Sequence, residues 1–144
     1  VGVVSYYEAG DAWQVSDVSY RMMRPDDPDN LRKLDEGLSP AYTPLTVSQL
    51  DPLRVASSVS LDGLSVTDVQ IHESEDVSKS CALSLTCTQD GLTVTVWVAP
   101  MQDSPFTPED LNGKLISVKG LVDVHEGSLR IRVFTPDGLS LADE

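Results

Sequence analysis

The chain has 144 residues, 40% of them hydrophobic and 23% charged, the balance of a soluble globular protein with room for one cored domain plus a fragment of another. Its formal net charge is −13, from 23 acidic and 10 basic residues, which repels phosphate backbones and disfavours nucleic acid as a partner. No apolar run is long enough to span a membrane, so membrane insertion is not expected, and the N-terminus carries no signal-peptide pattern.

In chain order, Val1 to Glu8 and Ala12 to Tyr20 read as two strands joined through Ala9-Gly10-Asp11, where Gly and Asp supply turn conformations. The chain thus opens on Val1 in mid-strand, and further sequence upstream is expected. Next comes the acidic stretch Arg24-Pro25-Asp26-Asp27-Pro28-Asp29-Asn30, which lacks the alternate acids, central Gly and distal Glu of a calcium loop. Asp27 as N-cap, Pro28 at the first helical position and Gly37 just past the end predict a short helix there instead. Leu38 to Leu53 holds three prolines without a clear period; it reads as a connection with a strand at Tyr42 to Val47, and it divides residues 1–50 from residues 51–144.

After it the pattern becomes strand upon strand. Val55–Val59 and Leu64–His72 form one long strand interrupted at Asp62-Gly63, where the glycine marks a bulge or a sharp bend. Ser80–Thr88 and Leu92–Ala99 pair across Gln89-Asp90-Gly91, the Asp-Gly being the turn signal. Thr107-Pro108-Glu109-Asp110-Leu111-Asn112-Gly113 has a capping Thr, a Pro at the first helical position and a terminating Gly, so it reads as a helical turn. Lys114–Val124 and Ser128–Phe134 supply the last two strands.

The last hairpin repeats the first: Gly2-Val3-Val4-Ser5-Tyr6-Tyr7-Glu8 with Trp13-Gln14-Val15 returns as Gly120-Leu121-Val122-Asp123-Val124-His125-Glu126 with Leu129-Arg130-Ile131. Only the second copy has a set of strands before it, so the first reads as the end of a truncated unit. A lone two-stranded hairpin is marginal in water. It is therefore expected to pack on the second unit or to mediate a dimer with another chain. Tyr6, Tyr7 and Trp13 belong either to the core of the missing unit or to that contact.

From residue 51 on, the order of strand, strand, strand, short helix, strand, strand is that of a five-stranded OB-fold barrel. The hairpin Cys81–Cys87 with Thr93–Val98, the segment Asn112–Val122 and the closing Leu129–Val133 resemble the OB-fold modules found in tandem in secreted and cell-surface bacterial proteins, some attached to nuclease-like domains. The resemblance implies an all-β fold and a non-catalytic interaction module of a larger extracellular protein, whose partners are other domains of its parent or a protein or glycan. A nucleic-acid-binding accessory module of a secreted nuclease is the alternative it implies.

In that fold the usual ligand surface is the outer face of the second and third strands. Alternation turns Ala82, Ser84 and Thr86, then Thr93, Thr95 and Trp97, outward, and Leu92, Val94, Val96 and Val98 inward. That face offers one aromatic and neither Lys nor Arg. Lys119, Arg130 and Arg132 share outward parity on the last two strands, a separate surface that reads as a solvated sheet face with cross-strand ion pairs against Asp123 and Glu126, with a phosphate-contacting patch as the alternative. The candidate ligand-binding residues are thus Trp97, Thr95, Thr93, Ser84, Thr86, Lys119, Arg130 and Arg132. His72 and His125 read as exposed strand-end histidines whose spacing matches no zinc site. The sequence shows no nucleophile elbow, phosphate loop or metalloprotease motif; neither a catalytic residue, a metal nor a cofactor is expected. Cys81 and Cys87, about 20 Å apart along a regular strand, cannot form a disulfide with each other, and their shared parity with Leu83 and Leu85 predicts two buried free thiols.

Overall fold

The computed structural model describes residues 3–16, 35, 37, 39–73, 81–100 and 106–142. Among them the chain is mostly β-structure, with nine strands and one short helix: β1 (Val3–Tyr7), β2 (Ala12–Ser16), β3 (Thr43–Pro44), β4 (Ser58–His72), β5 (Ala82–Gln89), β6 (Leu92–Val98), α1 (Pro108–Leu111), β7 (Leu115–His125), β8 (Ser128–Val133) and β9 (Leu139–Leu141). The all-β expectation holds. The helix expected from Asp27 to Gly37 lies outside the described residues, apart from Asp35 and Gly37.

β4 is long because it serves two neighbours. Its first half pairs antiparallel with β7, from Ser58↔Leu121 to Ser65↔Leu115, and its second half with β5, from Ser65↔Thr88 to His72↔Ala82. Between them the register slips at Leu61/Leu64, where Gly63 has a φ of 68°. A side chain there would be strained in the left-handed region, so glycine permits the bend that hands the strand from one partner to the other. β5 and β6 form the expected hairpin, with Asp90 (φ 52°) and Gly91 (φ 78°) both left-handed, as a two-residue primed turn requires. β6 then pairs in parallel with β8, β8 antiparallel with β7, and β7 returns to β4.

α1 connects β6 to β7. Asp110 accepts hydrogen bonds from the Thr107 N–H (2.8 Å) and hydroxyl (2.7 Å), which hold its carboxyl below the usual carboxylate range and cap the turn. Leu111, fully buried, is thereby driven into the core beside Leu61, Leu64, Leu85, Val96, Ile116 and Ile131. Burying each of these aliphatic side chains stabilises the fold by about 1.5–3 kcal/mol. β3 pairs in parallel with the start of β4, and Val47 just after it joins the same core, so part of the proline-rich connection is seated on the main sheet. β9, absent from the sequence-based expectation, pairs with β7 after a 3₁₀ turn at Pro136–Gly138.

Gly120 sits where β7 changes neighbours. A Cβ there would lie 2.3 Å from the Arg132 carbonyl oxygen, which is backbone and cannot step aside. Glycine is therefore the residue that lets β7 and β8 meet.

The hairpin β1–β2 repeats the register of β7–β8. Val4↔Val15 and Tyr6↔Trp13 match Val122↔Ile131 and Val124↔Leu129. Val122 and Ile131 lie in the core, whereas their counterparts Val4 and Val15 are 66% and 58% exposed. β1–β2 is a separate two-stranded sheet, anchored to the turn after β7.

Three sequence-based burial expectations are corrected. Cys81 is exposed because β5 begins one residue after it. Leu92, expected inward, is 45% exposed at the hairpin tip, and Ala82, expected outward, is buried at the opposite end. Alternation holds in the strand interior and fails where the neighbouring strand ends. Cys87 is buried as expected, and desolvation pushes its thiol up to about 12.

Two outcomes follow. A maleimide reagent at neutral pH should label one thiol in the native protein, Cys81, and two in denaturant; labelling of Cys87 at a comparable native rate would contradict the packing. Gly120→Ala should cost about 1–3 kcal/mol in urea unfolding through forced separation of β7 from β8.

Candidate functional site

The parallel register of β6 and β8 sets Trp97 opposite Arg132 and Thr95 opposite Arg130. Side chains of one parity on neighbouring strands share a face, so both arginines lie beside the tryptophan. The Arg132 guanidinium carbon is 4.9 Å from the Trp97 ring centroid and 4.8 Å from that of Phe134, and the Arg130 carbon is 5.5 Å from Trp97. These are cation–π distances. The sequence-based separation of the cations from the Trp97 face is thereby corrected.

Asp123, opposite Arg130 on β7, accepts both the Arg130 Nε (3.0 Å) and a terminal nitrogen (2.8 Å) on one oxygen, Oδ2. The same oxygen is 3.6 Å from an Arg132 terminal nitrogen, so one carboxylate serves two guanidiniums. This is the cross-strand ion pairing the sequence suggested for Arg130. The Arg132 Nε is buried and has no hydrogen-bond partner among the described residues.

Trp97, Arg130 and Arg132 form part of the floor of a depression of about 640 Å³, within the range of about 300–1,000 Å³ typical of small-molecule sites. Around them stand Gln70 and His72 from the end of β4, Ser84 from β5, and His125 and Glu126 from the end of β7. The His72 Nε2 and Ser84 Oγ are 2.8 Å apart, which fixes that imidazole on the sheet. Tyr7 and Gln14 bring the first hairpin to the rim. That wall is held by the Glu126 N–H donating to the Ala9 carbonyl (2.7 Å) and by Tyr7 Oη at 3.5 Å from His125 Nδ1. Gly10 makes the approach feasible, since a Cβ there would lie 2.5 Å from the Tyr7 ring and 3.2 Å from the Val124 carbonyl.

The other sequence-based candidates distribute around this centre. Ser84 lines the depression; Thr86 and Thr95 pair with each other across β5 and β6 on the same face, half-buried. Thr93 lies at the far end of β6, in a shallower depression with Val47, Leu50 and Leu129. Lys119 is exposed and lines a third hollow with Tyr42, Leu121 and Phe134. The fold does bring His72 and His125 to one site, which strand-end spacing alone could not show. Among the described residues no three His, Cys, Asp or Glu side chains cluster as metal ligands would.

The arrangement sets an aromatic surface, guanidinium forks, two imidazoles, a hydroxyl and two amide side chains around one concavity. Arg130 at the same time pairs with the half-buried carboxylate of Asp123, and Glu126 is the acid that lines the concavity. The sequence matches no known protein family and no curated protein.

The hairpin wall is testable on its own. Gly10→Ala should undock it, and amide hydrogen exchange at Glu126, whose N–H is bonded to Ala9, should accelerate by about tenfold or more; an unchanged Glu126 rate would refute the docking.

Proposed function

We propose that the chain is a non-catalytic binding module of a larger extracellular bacterial protein, an OB-fold-like five-stranded barrel that takes a protein or glycan partner in the depression over Trp97. The strand pairings β4–β5–β6–β8–β7, with the return of β7 to β4 and the placing of α1 between β6 and β7, support the barrel reading. The observation that carries the functional reading is the convergence of Trp97, Arg130 and Arg132 with His72, Ser84 and His125 in one concavity on the outer face of β5 and β6. Aromatic and arginine side chains are the groups that most often anchor partners. The scarcity of lysine beside abundant Ser, Thr and Asp fits a secreted surface. Among the described residues no helix is long and apolar enough to cross a membrane.

One observation favours a second reading, an accessory module for single-stranded nucleic acid: the stacking ring and the cations that such a ligand needs are adjacent. The net charge of −13 weighs against it.

The two readings separate by experiment. Arrayed glycans or purified domains of the parent protein should bind the chain and lose about tenfold or more in affinity on Trp97→Ala; binding indifferent to Trp97→Ala would overturn the main reading. A single-stranded oligonucleotide should show no affinity at low salt. If it binds, two arginine contacts set a slope of log Kobs against log salt of about −1.4, and that slope, abolished by changing both arginines, would establish the second reading.

A further inference from the structure

Arg132 differs from Arg130 in how its charge is answered. Arg130 is 12% exposed and spends two N–H groups on Asp123, so its charge is matched where it stands. Arg132 is 33% exposed, and the carboxylate oxygen it pairs with, at 3.6 Å, is the one Arg130 already uses. Its Nε is buried without a hydrogen-bond partner among the described residues.

The plane of Arg132 is nonetheless held. Cation–π contacts at 4.9 and 4.8 Å to Trp97 and Phe134 hold the guanidinium without using its N–H donors, one terminal nitrogen of which makes the 3.6 Å ion pair with Asp123. A guanidinium held by rings and sharing Asp123 with a second arginine is preorganised for an oxyanion, because little side-chain ordering is lost on binding and the ion pair that competes is long.

We propose that Arg132 anchors a subsite for a single oxyanion, one carboxylate or phosphate group of the ligand, in the depression over Trp97. This rests on reading that depression as the binding face. The surroundings select for one charge: Arg130 and Asp123 cancel, and Glu126 is exposed at the rim. A polyanion would also meet the field of a chain carrying −13. His125 and the Ser84-bonded His72 line the same space and supply neighbouring hydrogen-bonding groups.

The test uses the full chain labelled with nitrogen-15, titrated with sodium acetate, sodium glucuronate and inorganic phosphate against sodium chloride at matched ionic strength. The Arg132 Nε–H and Trp97 indole resonances should shift saturably with an oxyanion and not with chloride, and the order of affinities assigns the group to a carboxylate or a phosphate source. Arg132→Lys, which keeps the charge and loses the planar fork, should weaken binding by about tenfold. Asp123→Asn, which releases Arg130 from its acceptor, should tighten it by about threefold or more; a circular-dichroism spectrum confirms that each variant is folded. Shifts identical with chloride, or equal affinity in the folded Arg132→Lys protein, would overturn the subsite. If a glycan or protein partner then still binds through Trp97 with Arg132 silent, the subsite fails and the binding-module reading stands. If oxyanions saturate Arg132 while no partner depends on Trp97, the subsite stands and that reading fails.

Discussion

The parallel pairing of β6 with β8 is the contact on which the rest of the structure depends. Antiparallel hairpins form from adjacent sequence, but a parallel pair needs a crossover, and here α1 and β7 lie between the two strands. That crossover joins the β5–β6 hairpin to the β7–β8 hairpin and gives the core its second side. It also decides which side chains meet. Had β8 been antiparallel to β6 or shifted by one residue, its arginines would face other neighbours or the opposite side of the sheet.

Much of the fold was legible because its signals are local. Asp90-Gly91 marks a turn since few residue pairs tolerate two left-handed conformations, and Gly63 marks the bend of β4 by taking a left-handed conformation in mid-strand. Pro108 and Leu111 announce a capped turn with one buried side chain. The misreadings at Cys81, Ala82 and Leu92 have a common cause, since parity describes a strand and burial at its ends depends on where the neighbouring strand stops. β9 escaped because three residues carry too little period to register.

The site was legible in its parts and not in its assembly. Outward parity turned Trp97, Ser84, Arg130 and Arg132 away from the core, yet set the tryptophan and the arginines on separate surfaces. No periodicity in a single sequence states which distant strand lies alongside which. The same holds for His72 and His125, which come from the ends of β4 and β7 and share a concavity only through sheet topology. A strongly acidic composition concealed the outcome further, because a few local ion pairs decide the charge of a cleft while the total decides only the long-range field.

The docked hairpin gives one wall of the cleft a thermodynamic status of its own. Val4 and Val15 face solvent where their register equivalents Val122 and Ile131 face the core, and Tyr6 and Trp13 are exposed as well, so β1–β2 gains little from burial and, among the described residues, is held by contacts at Tyr7, Ala9 and Gly10. Such an element opens without the main sheet unfolding, at a free-energy cost well below the global one. The width of the cleft is therefore an equilibrium quantity, weighted by how often the wall is in place, and anything that grips Trp13 or Val15 from outside acts on the cleft without entering it.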